Sequence, residues 1–346
     1  MLEKEKIDKI LNGYKNFKIA TICSHSSLQI FAGARVEGVK TIGIVKRDKK
    51  ELYESFPLAR PDEFLVVDDY SHLPESELAA REARLVPHGS FVEYSGKNFD
   101  KLKVPIYGNR SSIVWERSRE KMFEWMHKAK IKTPRVFKPE EIDCPVLVKF
   151  PGAKGGHGYI IAKSYEDFKK RVGNRECMIQ EFIIGVRAYP HYFFSPFSDF
   201  GYKTKQGRLE LLGFDRRVES SADEIARAVS VGIKPNLSFT VMGNEPLVLR
   251  ESLLSDYMEI GKKVSETSFD LFGGVSGPFC VETIITDDLD IYAFEISARI
   301  VAGTNVYPSG SQYSLYYYNE PMSTGRRIAR ELKIAKEKNR LKDVVY

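Results

Sequence analysis

The sequence predicts an α/β protein that turns to α+β in its C-terminal part. Three observations carry this. Up to residue 90, apolar runs of strand length alternate with helical stretches, the order of a small open sheet with parallel strands. Residues 146–162 place two strands around a glycine-rich loop. Residues 279–297, FCVETIITDDLDIYAFEIS, alternate about a polar turn and read as a β-hairpin.

Residues 3–13 pattern as a short amphipathic helix. FKIATI (17–22) is a buried strand that opens into Cys23-Ser24-His25-Ser26-Ser27, and a helix follows over 28–37. Further strands are expected at 40–45, 64–69 and 83–87, the last opening into His88-Gly89-Ser90. Open parallel sheets bind ligands beyond the carboxyl ends of their strands, where His25 and Ser90 both fall. Ser26 and Ser27 stand at a helix start, where free N–H groups favour an anion. Two readings follow: a phosphate site built from two loops, or an N-cap serine beside a surface histidine.

A long helix is expected over 114–130, ended by Thr133-Pro134. VLVKF (146–150) is a strand, followed by the loop Pro151-Gly152-Ala153-Lys154-Gly155-Gly156-His157-Gly158 and a strand at 159–162. Glycines let backbone N–H groups approach phosphate oxygens. The loop fits neither the Walker A pattern nor G-x-G-x-x-G, and it joins two strands, so it reads as a flap. Lys149 should project from the preceding strand on the face opposite Val148 and Phe150. A helix capped by Ser164 runs over 164–172, and 177–185 is a strand whose Gln180-Glu181-Phe182-Ile183 could offer an adenine edge a backbone donor and acceptor.

Residues 189–195 and 208–214 read as paired strands, and Asp215-Arg216-Arg217-Val218-Glu219 as a surface ion-pair cluster. Residues 220–236 are poorly patterned, a loop or short helix. A strand over 240–249 is broken by a Gly243-Asn244 turn, and helices cover 251–269 and 325–342.

In the hairpin, one strand covers 279–286 and the other 291–297, with Asp287, Asp288, Leu289 and Asp290 between them. This register sets Thr286 across from Ile291, Ile284 from Ala293 and Glu282 from Glu295. Phe279, Val281, Thr283, Ile285, Tyr292, Phe294 and Ile296 then form the core face. Like charges opposed across strands are destabilising. Either a hard divalent cation sits between the carboxylates, or the two glutamates splay into solvent.

The 53 basic and 47 acidic residues give a net charge of +6 without a long single-sign block. That permits phosphate-bearing ligands but gives no argument for DNA or RNA, which usually shows a basic stripe, and no nucleic-acid partner is expected. Cys23, Cys144, Cys177 and Cys280 have no metal-ligand spacing and read as free thiols in a reducing compartment. MLEKEKIDKI carries no apolar signal core, and no run approaches a membrane span. A cytoplasmic chain with no membrane partner is expected.

A strand lysine, a glycine-rich hairpin, a Gln-Glu-Phe-Ile segment and two acids ending in Glu-x-Ser-x-Arg resemble the ATP-grasp superfamily. More closely, SHSSLQI, VPHGSF, KFPGAKGGHGY, PHYFFSP, LLGFDRRVES, VMGNEPLVLRESLL, GPFCVE and FEISARIVAGTN resemble the archaeal ATP- and formate-dependent ligases that formylate aminoimidazole carboxamide ribonucleotide (AICAR) in purine biosynthesis. The resemblance implies an N-terminal α/β domain over 1–118, a small subdomain with the flap over 119–183, and a C-terminal subdomain with the hairpin over 184–346. It implies ATP, formate and AICAR as partners, Mg²⁺ or Mn²⁺ as metal, a formyl phosphate intermediate and a homo-oligomer.

By matching motifs, His25, Ser26, Ser90 and Asn244 would contact AICAR. Lys149, Gly155, Gly156, Gly158, Glu181, Phe182, Ile183 and Glu219 would contact ATP, and Glu282 and Glu295 the metal. Arg299 is a catalytic candidate for neutralising charge on the phosphoryl group or formate; His25 either moves a proton or holds phosphate. The sequence departs from the superfamily pattern at Ala188, where many members place an acid for the ribose, so Glu219 would take that role. Ser297 stands where the superfamily often has Asn, and 220–236 looks short. Two alternatives stay open: an ATP-grasp ligase of a different carboxylate and amine, and a nucleotide-binding regulator without turnover.

Overall fold

The fold is given by a computed structural model, which describes residues 3–154, 157–219, 224–234 and 239–346. Gly155 and Gly156 lie outside the described residues, as do 220–223 and 235–238.

The first sheet holds β1 (Lys18–Ile22), β2 (Lys40–Lys46), β3 (Glu63–Val67) and β4 (Ala83–Leu85), all parallel in the order β3-β2-β1-β4. β1 and β2 are apolar without alternation because both faces are covered. Ile19 packs toward Ile30 and Ala34 of the helix Ser27–Val36 and toward Ile328 and Leu332 of the helix Thr324–Glu337. Ala20, Ile22, Ile42 and Ile44 pack on the other side with Leu78, Leu85 and Phe91.

The second sheet contains β5 (Val136–Phe137), β6 (Val146–Lys154), β7 (His157–Ala162) and β8 (Met178–Glu181), antiparallel in the order β5-β8-β6-β7. Its strands β6 and β7 run further into the glycine loop than expected.

The third and largest sheet contains β9 (Val186–Ser195), β10 (Tyr202–Lys203), β11 (Arg208–Glu219), β12 (Val241–Pro246), β13 (Gly277–Ile285) and β14 (Ile291–Ser297). Its order is β10-β11-β9-β13-β14, with β12 also on β11, and these pairs are antiparallel. One face carries Tyr192, Phe194, Phe214, Phe279 and Val281 into the main core. There they meet Tyr257 and Val264 of the helix Leu254–Phe272, and Trp125 and Met126 of the helix Arg119–Lys128.

Three expectations are corrected. The long helix over 114–130 is two helices, Arg110–Arg117 and Arg119–Lys128. Ser118 between them is extended, and its Oγ accepts from the Lys121 N–H, so a new N-cap interrupts the apolar period. Gly243-Asn244 is not a turn: β12 runs through it, with Asn244 opposite Arg217. A local turn signal yields here to long-range pairing along β11.

The hairpin register holds at Glu282↔Glu295 and then slips by one, giving Thr283↔Ala293, Ile284↔Tyr292 and Ile285↔Ile291. The extra residue is a β-bulge, which aims two successive side chains to one side. Ala293 and Ile296, not Tyr292 and Phe294, therefore reach the main core. Phe294 lies instead with Tyr189, Cys280 and Val301.

Candidate active site

Alternation along the third sheet sets a polar face opposite the core face. β11 contributes Asp215, Arg217 and Glu219; β9 contributes Arg187, Tyr189 and His191; β13 contributes Cys280 and Glu282; β14 contributes Glu295; and β12 contributes Asn244. The charged run 215–219 is thus split. Arg216 is exposed and pairs with Glu245 on the outside, as a surface cluster would. Its neighbours turn inward, and Asp215 is only 1% exposed.

Glu282 and Glu295 face each other at the centre. Arg217 grips Glu282 with both arms, Nη1 donating to Oε2 at 2.9 Å and Nη2 to Oε1, and its guanidinium lies 4.3 Å from the Tyr189 ring centroid. Burial works against the Arg217 charge, but Glu282 and Tyr189 more than offset it and hold its pKa well above the ordinary value. Glu295 is pushed up to about 7, first by burial and then by the Glu282 charge. Lys149 sits nearby on β6, its Nζ 5.6 Å from the Phe294 ring centroid. Burial lowers its pKa, and Glu295 acts in the opposite sense. Two cations from different sheets thus converge on two opposed carboxylates. Among the described residues no third carboxylate, histidine or cysteine joins them to complete a metal cluster. The donor set suits a hard divalent ion that draws its other ligands from phosphate and water.

The segment 181–183 leaves the end of β8, where Glu181 lies opposite Val146 of β6. The Glu181 N–H is bound to the Arg135 carbonyl at 2.8 Å and the Phe182 N–H to the Pro145 carbonyl at 3.0 Å. Glu181 Oε2 accepts from the Arg135 N–H at 3.1 Å. The Ile183 N–H has no partner among the described residues. Glu219 pairs with Arg187. Ala188 faces away, fully buried in the main core, so an acid at that position would not reach the polar face. Gly158 lies in β7.

The first sheet supplies the other wall. His25 has a left-handed backbone, φ 54°, and its ring stacks on that of His88 at 5.3 Å and 5°. His88 is fixed from both sides: Nε2 contacts the Ile22 carbonyl at 2.9 Å, and the Ser90 N–H approaches Nδ1 at 3.3 Å. Nε2 therefore carries the proton. Ser26 stands at the N-cap position of the helix Ser27–Val36, but its side chain caps no helix N–H. Its hydroxyl donates to the Val301 carbonyl at 3.2 Å and lies 2.8 Å from His25 Nδ1. One side of His25 meets solvent, yet it is deeply set among protein atoms. Loss of water, with His88, Arg299 and Arg217 nearby, holds its pKa well below the ordinary value. Gly89 makes this packing possible, since a Cβ there would stand 2.6 Å from His25 Nε2. Ser90 is buried next to it.

The segment after β14 joins the two walls. Arg299 Nη2 pairs with Glu116 Oε1 at 3.0 Å, and Glu116 Oε2 accepts from the Ala298 N–H at 2.9 Å. Asn305 Nδ2 donates to the His25 carbonyl at 3.0 Å, and Gln29 Nε2 reaches Thr304 and Asn305. Further along the wall, Asp215 Oδ1 lies 2.7 Å from His191 Nε2 and its Oδ2 accepts from Asn244 Nδ2 at 2.7 Å.

The structure thus gathers His25, Ser26, Ser90, Asn244, Lys149, Glu219, Glu282, Glu295 and Arg299 around a cleft where the loops of the first sheet and β6 of the second meet the polar face of the third. Sequence reasoning missed Arg217, Asp215, His191, His88 and Glu116. The two-residue period of β11 was the available signal for Arg217 and Asp215. Nothing local marked Glu116.

Solved structures show the same fold class. Biotin carboxylase from Campylobacter jejuni superposes with a TM-score of 0.64 at 14% identity, covering 91% of this chain and 70% of that one. The ADP complex of N5-carboxyaminoimidazole ribonucleotide synthetase gives 0.62 at 13%, covering 91% and 76%. The protein is an ATP-grasp protein by fold.

At family level, a domain of unknown function, DUF1297, matches residues 166–346, and a protein of unknown function, DUF1246, matches 19–137. The 5-formaminoimidazole-4-carboxamide-1-(beta)-D-ribofuranosyl 5'-monophosphate synthetase of Methanococcoides burtonii is 50% identical over 99% of both chains. That of Pyrococcus horikoshii is 46% identical, covering 95% of this chain and 99% of its own. The crystal structure of an IMP biosynthesis protein PurP from Thermococcus kodakaraensis superposes with a TM-score of 0.75 at 33% identity, covering 95% of this chain and all of that one. The chain belongs to this synthetase family.

Proposed function

We propose that the protein is an ATP-dependent carbon–nitrogen ligase that formylates AICAR with formate, releasing ADP and phosphate. The observation that carries the reading is the convergence of Lys149, Arg217 and the Glu282–Glu295 pair on one cleft, walled by His25 and Ser90. Identity of 50% across the full length of a named synthetase favours it over a ligase of other substrates or a regulator without turnover.

In this reading ATP lies between the second and third sheets. Ile183 offers its N–H to the adenine, and Glu181 and Phe182 hold that strand end in place. Glu219 is the candidate for the ribose. Lys149 and the loop with Gly155, Gly156 and Gly158 approach the phosphates. Glu282 and Glu295 would hold Mg²⁺ or Mn²⁺, which when bound supplies positive charge to the phosphate oxygens. A formate oxygen attacks the terminal phosphorus, the bond to the ADP oxygen breaks, and formyl phosphate forms. The AICAR amine then attacks the formyl carbon, loses a proton, and phosphate leaves. Formate offers little surface to grip, so charge and placement do the work. Arg299, held by Glu116, is the candidate to face it.

His25 and Ser90 are the candidates for the AICAR phosphate, with Ser26 holding His25. The environment disfavours a cationic His25, so hydrogen bonding is its proposed means of holding phosphate. We further propose a homo-oligomer and no nucleic-acid partner. Among the described residues no helix is long and apolar enough to cross a membrane. The test is ADP release with each component omitted in turn. The reading expects ADP only with ATP, Mg²⁺, formate and AICAR together; release that ignores AICAR would overturn the substrate assignment.

A further inference from the structure

Asp215 is a charged side chain deep in the wall of the cleft, and neither the ATP site nor the carboxylate pair uses it. It is 1% exposed, and its partner His191 is 2% exposed. Three groups close around it: His191 Nε2 at Oδ1, Asn244 Nδ2 at Oδ2, and the backbone of Gly303. At Gly303 a Cβ would stand 2.1 Å from Oδ1, so the segment after β14 packs against the carboxylate with no room for a side chain. That segment continues to Asn305, which holds the His25 carbonyl. Asp215 therefore ties Asn244 to the same cleft wall as the His25 loop.

The polarity of Asn244 follows from hydrogen-bond chemistry. An ionised carboxylate only accepts. The His191 ring must then present Nε2–H to Oδ1, and Asn244 must present its NH₂ to Oδ2. An amide that gives an N–H to the wall has its orientation fixed, and its carbonyl oxygen, on the other branch of Cγ, points away from Asp215. That oxygen has no partner among the described residues. We propose that Asp215, backed by His191, is a positioning residue that fixes Asn244 as a hydrogen-bond acceptor in the cleft, selecting a substrate that brings an N–H donor to that point. An aromatic amine or a primary carboxamide on a heterocycle has that donor; a substrate with only carbonyl or ring-nitrogen acceptors there leaves the Asn244 oxygen unpaired and is disfavoured. This rests on the ligase reading above and adds to it the polarity of the subsite.

The test exchanges the two side chains. Asp215→Asn alone puts an NH₂ against Asn244, which must then flip and turn a donor into the cleft. Asn244→Asp alone opposes two carboxylates. The double variant D215N/N244D restores the pattern: residue 215 accepts from His191 and donates to residue 244, which again turns an acceptor inward. Steady-state formylation assays should show kcat/KM for AICAR falling about tenfold or more in each single variant, with recovery to within about threefold of the parent in the double. The KM values for ATP and formate should stay unchanged, and ADP binding and melting temperature report folding. A double variant no better than its poorer parent, or an unaffected D215N, overturns the proposal. A second readout is independent of turnover. With ¹⁵N-asparagine labelling, the side-chain amide signal that disappears in N244D should be slow to exchange in the parent and fast in D215N. Equal exchange in both sinks the positioning role. A parent enzyme without AICAR-dependent ADP release sinks the ligase reading instead and leaves the exchange experiment to decide on Asp215.

Discussion

Replacing Glu295 with Gln should stabilise the metal-free protein while it destroys the activity. Glu295 opposes Glu282 across the β13–β14 pair, and burial together with that charge raises its pKa from 4.5 to about 7. A carboxyl pKa raised by folding means that the folded state binds the proton more tightly than the unfolded chain. The two states titrate alike below pH 4.5, and stability is lost as pH rises from there to about 7. At about 1.4 kcal/mol per pH unit this sets an upper limit of about 3 kcal/mol, and about 1–2 kcal/mol once solvent screening is allowed for.

Gln keeps the shape and removes the charge. In chelator, urea midpoints at pH 8 should therefore rise by the equivalent of about 1–2 kcal/mol over the parent, with a negligible difference at pH 4.5. Adding Mg²⁺ and ATP should stabilise the parent and leave the variant nearly unmoved, and formylation should fall at least about a hundredfold. A Gln variant that is less stable than the parent at pH 8 in chelator would refute the electrostatic reasoning.

Other perturbations test the rest of the cleft. Gly89→Ala should push His25 off His88, raising the KM for AICAR about tenfold while leaving ADP affinity and the melting curve unchanged in titration and calorimetry. Glu116→Gln should loosen Arg299 and raise the KM for formate more than that for ATP, read from initial rates at varied formate. Arg327→Met should cost about 3–5 kcal/mol in urea unfolding, because Glu210 and Glu331 are left buried without their shared cation. That loss would arise at the docked helix Thr324–Glu337, outside the cleft, so ligand affinities of the folded fraction should be unchanged.

The sequence made some of this geometry legible and hid the rest for identifiable reasons. His25 and Ser90 could be placed because unalternating apolar strands followed by short polar loops announce the carboxyl edge of a parallel sheet, and that edge is where both residues lie. The facing of Glu282 and Glu295 could be read from the turn. The bulge beside them could not, because one extra residue at Phe294 leaves the apolar count intact and still moves Ala293 to the core. Arg217 was hidden in a charged run whose exposed member, Arg216, does behave as surface. Asn244 sat in a Gly-Asn pair that signals a turn locally, while its strand is decided by β11, far away in the sequence. Glu116 lies in a helix remote in sequence from the Arg299 it holds, and no spacing rule connects them.

The most direct test of the central claim follows the oxygen atoms of formate. If a formate oxygen attacks phosphorus and the amine then expels phosphate, one formate oxygen must end in the phosphate released and the other in the new formamide. Turnover with [¹⁸O₂]formate, ATP, Mg²⁺ and AICAR, analysed by ³¹P NMR and mass spectrometry, should place one ¹⁸O in each phosphate formed and one in each product molecule. Product formed with unlabelled phosphate would contradict activation of formate through an acyl phosphate.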